Sequence, residues 1–465
     1  MPKKYHIASK TAPPRENPIG KYATVEFREN CAGSCRECVK KKCVSRVFEE
    51  NYQHVIFMEE PEYRYTCQSC FRCVQECTNA IFSRVIDPAY RTLGDDYWRA
   101  DILNRTWYQA HTGNVPVSGS GYRGPFSGHG FDSMWTDMSE IIRPTRDGIH
   151  GREYINTCIE LSRRPERLEF DENMNLVTDV PPLLEIPLPA LMQQPDFGVL
   201  SPDVLLSMVR ATHELGTMMF IQAEDFTEAL KPFAKHLIPC LTQENAIEFI
   251  KNNPAFRMIE LAYTPGIEDL IKQLRDVNSA LFIAVGIPLR KNASLIALEM
   301  THAGADTLHF YADHHGNELN TAKPRFLKEM IREIHLFLVE KHVRHIINLV
   351  FSGGIAMPEH WAKAIICGAD GVTVDDALLI AMECNLCHRC QENLPCPVKL
   401  ETVNPDWGSQ RIINLMGAWR NQLLEVMGAM GICEARRLRG EVGRSLWFED
   451  LERESFGPIF GERKV

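Results

Sequence analysis

Ile346-Ile347-Asn348-Leu349-Val350-Phe351-Ser352-Gly353-Gly354-Ile355, a helical stretch over 358–367, and Gly371-Val372-Thr373-Val374-Asp375 together decide the fold. An apolar run, a glycine turn, an amphipathic helix and a second apolar run describe two parallel strands joined by a crossover helix. Reading outward, the same unit recurs. Apolar runs fall at 196–201, 217–223, 236–242, 256–263, 281–287, 307–312, 346–352 and 371–375. Helical stretches at 203–215, 225–234, 243–252, 265–276, 291–303 and 323–343 separate the others. Eight such units predict an α/β fold, a closed (β/α)8 barrel of the TIM type. A doubly wound open sheet is the rival, and eight regular units favour closure. In a barrel of this kind the site lies at the C-terminal ends of the strands.

Directly after the last run stands Cys384-Asn385-Leu386-Cys387-His388-Arg389-Cys390, closed by Cys396-Pro397. Core packing does not bunch cysteines in this way, because a single buried thiol acts as one more small hydrophobe. Two more groups lie near the N-terminus: Cys31, Cys35, Cys38 and Cys43, then Cys67, Cys70, Cys73 and Cys77. The second of these has the gaps of a two-cluster bacterial ferredoxin, and the first has one extra residue in two gaps. In such modules the fourth Cys serves the other cluster. That predicts one 4Fe–4S cluster on Cys31, Cys35, Cys38 and Cys77, and another on Cys67, Cys70, Cys73 and Cys43. A pair of zinc sites is the alternative. The residue after the fourth Cys, usually Pro, is Val44 in one group and Thr78 in the other. Cys158, Cys240, Cys367 and Cys433 stand alone and read as buried thiols.

The chain has 465 residues, 16 cysteines and a net charge of −10. The acidic balance argues against nucleic acid as a partner. No apolar run approaches the roughly 20 residues of a membrane span. The start, Met1-Pro2-Lys3-Lys4-Tyr5-His6, lacks a signal-peptide core, so a cytoplasmic protein is expected. The chain divides into four parts: a ferredoxin-like module over 1–110, a crossing segment over 111–190, the barrel with its Cys group over 191–400, and a helical tail over 401–465. Tyr97, Trp98, Trp107 and Tyr108 are expected to pack the module on the rest of the chain. The stretch 138–155 carries Arg143, Arg146 and Arg152; it reads either as an anion-holding loop or as a solvated one. The apolar patch Leu446-Trp447-Phe448 in the tail is expected to dock on the module or on a partner chain.

The ordered combination of four stretches resembles the FMN-binding domain of glutamate synthase large subunits, in the short archaeal and bacterial form with an N-terminal ferredoxin module. They are 112–155 with Pro144-Thr145-Arg146-Asp147-Gly148-Ile149-His150-Gly151-Arg152-Glu153-Tyr154, Ser352-Gly353-Gly354-Ile355, Cys367-Gly368-Ala369-Asp370-Gly371-Val372, and the Cys384–Cys396 group. The resemblance implies a third cluster, 3Fe–4S or 4Fe–4S, on Cys384, Cys390 and Cys396, with Cys387 as a fourth ligand. It implies FMN near Gly353, Gly354, Gly368, Arg146 and Arg152. It implies electrons passing from two ferredoxin-type clusters to the third at the barrel, with other redox subunits as donors or acceptors. The long forms release ammonia with a domain that begins with a nucleophilic Cys; residue 2 here is Pro, so no glutamine hydrolysis by this chain is expected.

The barrel loops depart from the family. Ala223-Glu224-Asp225-Phe226 replaces a Gly-rich loop with an acidic residue. Ile259-Glu260-Leu261-Ala262-Tyr263-Thr264-Pro265-Gly266 lacks a Lys, and Asp313-His314-His315-Gly316-Asn317 replaces a His-Asp-Gly-Gly stretch. Asp375 and Asp376 stand where a flavin phosphate would meet Gly and a polar or basic residue. Each carboxylate about 5 Å from a phosphate costs on the order of 3 kcal/mol at an effective dielectric near 20. Arg290, Lys291 or an arginine of 143–152 would have to compensate. Glu260, Asp313, His314 and His315 are the acid–base candidates. Two functions are consistent with this sequence: a glutamate synthase-type oxidoreductase using FMN, or an electron-transfer subunit of a larger redox complex whose barrel has lost flavin and substrate.

Overall fold

The computed structural model describes residues 5–15, 19–26, 38–39, 42–43, 72–115, 130–136, 155–198 and 200–461. Cys31, Cys35, Cys67, Cys70, Arg143, Arg146 and Arg152 lie outside them.

Eight parallel strands close into the expected barrel: β1 (Ala190–Gln193), β2 (Met219–Gln222), β3 (Leu237–Leu241), β4 (Met258–Ala262), β5 (Phe282–Pro288), β6 (Thr307–Tyr311), β7 (Asn348–Ser352) and β8 (Gly371–Val374). β8 closes on β1 with Val372 opposite Ala190 and Val374 opposite Met192. Seven strands fall where the apolar runs predict them. The first does not: it is Ala190–Gln193, six residues before the run at 196–201. Pro187 and Pro189 precede it and hide its extended character, yet the Pro189 carbonyl still accepts the Val372 N–H at 3.1 Å. The run at 196–201 instead crosses the barrel mouth, where Asp196 and Phe197 line a cavity.

Side chains alternate in and out along each strand. Inward-facing Leu191, Phe220, Ile238, Met258, Phe282, Ala284 and Val350 form one buried cluster. The antiparallel pair Ile159–Glu160 and Glu185–Ile186 plugs the N-terminal end. Its Leu161 carbonyl accepts from Thr307 Oγ1 at 2.6 Å, and the Ser162 carbonyl accepts from Asn348 Nδ2 at 2.6 Å. Thr307 and Asn348 are the first residues of β6 and β7, so the plug closes the end opposite the mouth.

The helix Pro405–Met430 packs against the helices Pro202–Leu215 and Ala100–Thr112. Asn404 caps it by accepting from the N–H groups of Asp406 and Trp407, and Gly431 ends it in the left-handed region. Arg411 on this helix is fully buried. Its guanidinium donates to the carbonyls of Ala381 (2.5 Å), Ala12 (3.0 Å) and Trp107 (3.5 Å), tying the N-terminal arm to the segment that enters the third Cys group. Trp447 lies in a strand, Ser445–Trp447, that pairs with Met134–Thr136. The tail patch therefore docks beside the barrel, where Lys328 Nζ meets Glu449 Oε1 at 2.6 Å. Among the described residues no helix is long and apolar enough to cross a membrane.

Candidate functional site

The C-terminal ends of the strands enclose a cavity of about 250 Å³. Its floor carries three inward-facing polar side chains, from β3, β4 and β6. Glu260 of β4 sits mid-strand and is 7% exposed, so it is buried, not a rim carboxylate. Its Oε1 lies 2.5 Å from His309 Nδ1 of β6, and its Oε2 accepts from the Cys240 thiol of β3 at 2.8 Å. Gly286 of β5 lets this happen, because a Cβ there would stand 2.9 Å from Glu260 Oε1. The Phe220 ring stacks on His309 with centroids 4.2 Å apart. His309 Nε2 is buried and has no hydrogen-bond partner. Burial, then the Glu260 charge, pushes the Cys240 thiol well above its usual range, so it stays protonated.

The walls are acidic. Asp196, Glu260, Asp313, Asp375 and Asp376 line the cavity, and no Lys or Arg does so among the described residues. Burial pushes Asp375 up to about 6; burial and the Asp375 charge push Asp376 well above the usual carboxylate range. Burial also raises Asp196. Adjacent buried carboxylates of this kind hold protons that free ones release.

The flavin phosphate position can be tested on these residues. Asp375 caps the helix Asp376–Ala381, its Oδ1 accepting the Asp376 N–H at 2.7 Å. The chain's own carboxylate thus takes the backbone donor that a phosphate would use. Gly353 and Gly354 come directly after β7 in the left-handed region, at φ 95° and 67°. Their open faces are filled by the chain. A Cβ on Gly353 would stand 2.3 Å from the Asp313 carbonyl oxygen, and one on Gly354 would stand 2.7 Å from the Gly316 nitrogen. Tyr97 closes the remaining side, donating to the Gly354 carbonyl at 2.5 Å. Arg290 and Lys291 are exposed and do not line the cavity. These residues do not fit a phosphate dianion. Gly368 is not brought to the mouth at all. It ends the helix Glu359–Cys367 at the N-terminal side of the barrel, in contact with His335.

The third Cys group does fit a bound cluster. Cys384 is buried, and Cys387, Cys390 and Cys396 are half-buried around it, close enough for their charges to bear on its thiol. Glu383, Leu386, His388, Asn393 and Lys399 all take positive φ, between 47° and 77°. Alternation of right- and left-handed residues turns successive N–H groups inward, the backbone concavity that iron–sulfur sites use. The Leu386 N–H already points at Cys384 Sγ, 3.4 Å away. Glu383 anchors the base, accepting the Arg15 N–H at 2.9 Å.

At the N-terminus, Tyr22–Glu26 pairs antiparallel with Phe82–Ile86, so the two Cys groups lie, in sequence, between paired strands. Val39, beside Cys38, shares one apolar cluster with Ile81, Phe82, Cys73, Val74 and Cys77. The last part of the 1–110 segment reaches the mouth. Trp98 is fully buried and donates to the His314 carbonyl at 2.8 Å, and the Gly94 N–H meets the Asn385 carbonyl at 3.0 Å. Of the four isolated cysteines only Cys367 is the plain buried thiol expected: Cys433 is exposed, Cys158 is half-buried, and Cys240 belongs to the cavity. His309 and Cys240 had a legible signal, since both fall on the inward parity of their strands.

Residues 253–433 match the family described as a conserved region in glutamate synthase. The archaeal glutamate synthase [NADPH] of Archaeoglobus fulgidus is 24% identical over 93% of this chain and 96% of its own length. The archaeal-type glutamate synthase [NADPH] of Thermotoga maritima is 25% identical over 91% and 94%. That of Methanocaldococcus jannaschii is 26% identical over 81% and 92%. Among solved structures, a mandelate oxidase variant with a monooxide FMN adduct is 15% identical, covering 64% of this chain and 90% of its own, at a TM-score of 0.41. A flavocytochrome b2 variant with pyruvate bound reaches 0.45 at 11% identity, covering 81% and 87%. Likenesses to structures this distant bear on neither ligand nor chemistry. The resemblance to the short glutamate synthases, read from the residues, is shown along most of the chain.

Proposed function

We propose, from its similarity to the short glutamate synthases, that this chain is an iron–sulfur electron-transfer protein of that type whose barrel does not use FMN. Cys384, Cys387, Cys390 and Cys396 hold one cluster at the barrel mouth. Two ferredoxin-type clusters are held by Cys31, Cys35, Cys38 and Cys77, and by Cys67, Cys70, Cys73 and Cys43. When bound, such clusters supply one-electron transfer. The observation that carries this reading is the set of five left-handed residues spaced through 383–399 about the third group, with the Leu386 N–H aimed at Cys384 Sγ. The apolar cluster that Val39 shares with Cys73, Val74 and Cys77, on and just after the helix Arg72–Glu76, supports placing the two N-terminal groups side by side.

The chain's own residues at the mouth hold protons. Glu260 fixes the His309 ring through Nδ1 and leaves Nε2 toward the barrel interior. Burial lets Asp375 keep its proton up to about pH 6, and burial with the Asp375 charge lets Asp376 keep its proton well above the usual carboxylate range. A mouth that stores protons beside an electron carrier suits proton-coupled reduction of a small substrate or a partner's group. Electron donors and acceptors are then other redox subunits, reached through the N-terminal module.

Cys390→Ser, purified anaerobically, tests the reading. Iron and acid-labile sulfide should fall by one cluster's worth while the ferredoxin-type spectroscopic signal persists. Unchanged iron content would remove the third cluster from the assignment.

A further inference from the structure

Three parts of the chain converge at the barrel rim without using a cysteine: Asp95 from the last part of the 1–110 segment, His314 from the loop after β6, and His388 from the third Cys loop. Asp95 Oδ2 lies 4.0 Å from the Nε2 atoms of both His314 and His388. One ligand atom from each of the three residues falls within 4.8 Å of the others. At 4.0 Å neither of these two imidazoles hydrogen-bonds the carboxylate, so their ring nitrogens face it without a hydrogen bond to it.

The carboxylate is oriented for this role. Its Oδ1 accepts the N–H groups of Tyr97 and Trp98, both at 2.8 Å, which turns Oδ2 toward the imidazoles. Outer contacts of this kind set the direction of a ligating group. His315 Nε2 stands 2.8 Å from the same Oδ2, as an outer partner or an additional donor. Phe197 walls the other side, its ring 4.7 Å from that of His388 and 6.4 Å from that of His314.

We propose that Asp95, His314 and His388 bind one divalent transition-metal ion, zinc in the first instance, at the rim of the barrel mouth. Two imidazoles and a carboxylate are a donor set that borderline ions such as zinc accept, unlike the thiolate sets nearby. Donors around tetrahedral zinc, each about 2.0–2.2 Å from the ion, stand roughly 3.4 Å apart, so closure asks for side-chain shifts on the order of 1 Å. Three protein ligands leave a position for water or substrate, as in catalytic zinc sites. His314 also lines the cavity, so the ion would stand at its edge. The ion would pin the N-terminal segment to both the barrel and the third Cys loop.

The test uses the full-length, cluster-loaded protein, given one equivalent of Zn²⁺ and then desalted. One zinc per chain should remain. Its X-ray absorption spectrum should show nitrogen and oxygen neighbours at about 2.0–2.2 Å and no sulfur at about 2.3 Å. Asp95→Asn, His314→Gln and His388→Gln should each weaken zinc binding at least tenfold, whereas His302→Gln, on the exposed face of the helix Ala293–Ala303, should not. Zinc held no more tightly by the native protein than by His314→Gln would overturn the proposal. So would a sulfur shell, which would place the zinc on cysteines. If a variant fails to fold, the native protein's absorption spectrum decides alone. Zinc content is read separately from iron, so the outcome stands apart from the cluster assignment.

Discussion

Gly353→Ala separates a glycine kept for packing from one kept for a phosphate. Gly353 sits at φ 95°, where an L-residue pays about 1–2 kcal/mol. The added Cβ would stand 2.3 Å from the Asp313 carbonyl oxygen and 3.0 Å from Ala312 Cβ. Both belong to the chain running from β6 into its loop, so backbone must move, and forced repacking costs about 1–3 kcal/mol more. The sum is roughly 2–5 kcal/mol. Gly266→Ala is the control: its φ is 86°, but nothing lies within 4 Å of the added atom, so only the strain remains. Urea unfolding monitored by tryptophan fluorescence suits both, because Trp98 donates to the His314 carbonyl in the loop that must shift. Gly353→Ala should lose clearly more stability than Gly266→Ala. Equal losses, or an unchanged midpoint accompanied by loss of a bound flavin, would refute the packing argument.

Two buried carboxylates make opposite predictions. Asp375 is raised to about 6 by burial, so the folded state binds the extra proton and stability falls as pH rises from about 4 to about 6. Asp375→Asn keeps the cap acceptor and removes that penalty; relative to native it should gain on the order of 2–3 kcal/mol at pH 7 and little at pH 4. A variant with the same pH–stability curve as native would contradict it. Asp370 is buried, which works against its charge, yet Arg344 and Arg439 hold it down to about 2. Its Oδ2 accepts from Arg344 at 2.8 Å and from the Leu349 N–H at 2.8 Å. That contribution is complete above about pH 4 and is lost as pH falls toward 2. Asp370→Asn leaves Arg344 buried without its counter-charge and should cost about 3–5 kcal/mol at pH 7; a loss under 1 kcal/mol by denaturant titration would show that the pair carries no such weight.

The barrel was legible because β-branched and aliphatic runs recur at a regular spacing, and closure needs only their number. β1 escaped because the prolines around it resemble a linker, while Phe197 and Leu200 imitate a strand. The proposed cysteine ligands stand out from spacing alone, since chelation favours close gaps in sequence. The floor of the mouth was half legible. Glu260 stood out as a charge, but His309 and Cys240 sat inside apolar runs, and only their parity with Glu260 marked them as inward. Asp95 and His388 gave no local signal. They meet His314 across more than two hundred residues on one side and more than seventy on the other, and only tertiary structure brings them together. Gly353 and Gly354 resembled a phosphate cradle because close backbone approach demands glycine whether the neighbour is a ligand or, as here, another loop.

The most direct measurement is a joint assay of iron, acid-labile sulfide and flavin on protein purified without oxygen, with its visible spectrum. Brown protein holding iron and sulfide for three clusters, and releasing no FMN on acid treatment, is the expected result. Colourless, iron-free protein, or one FMN released per chain, would contradict it.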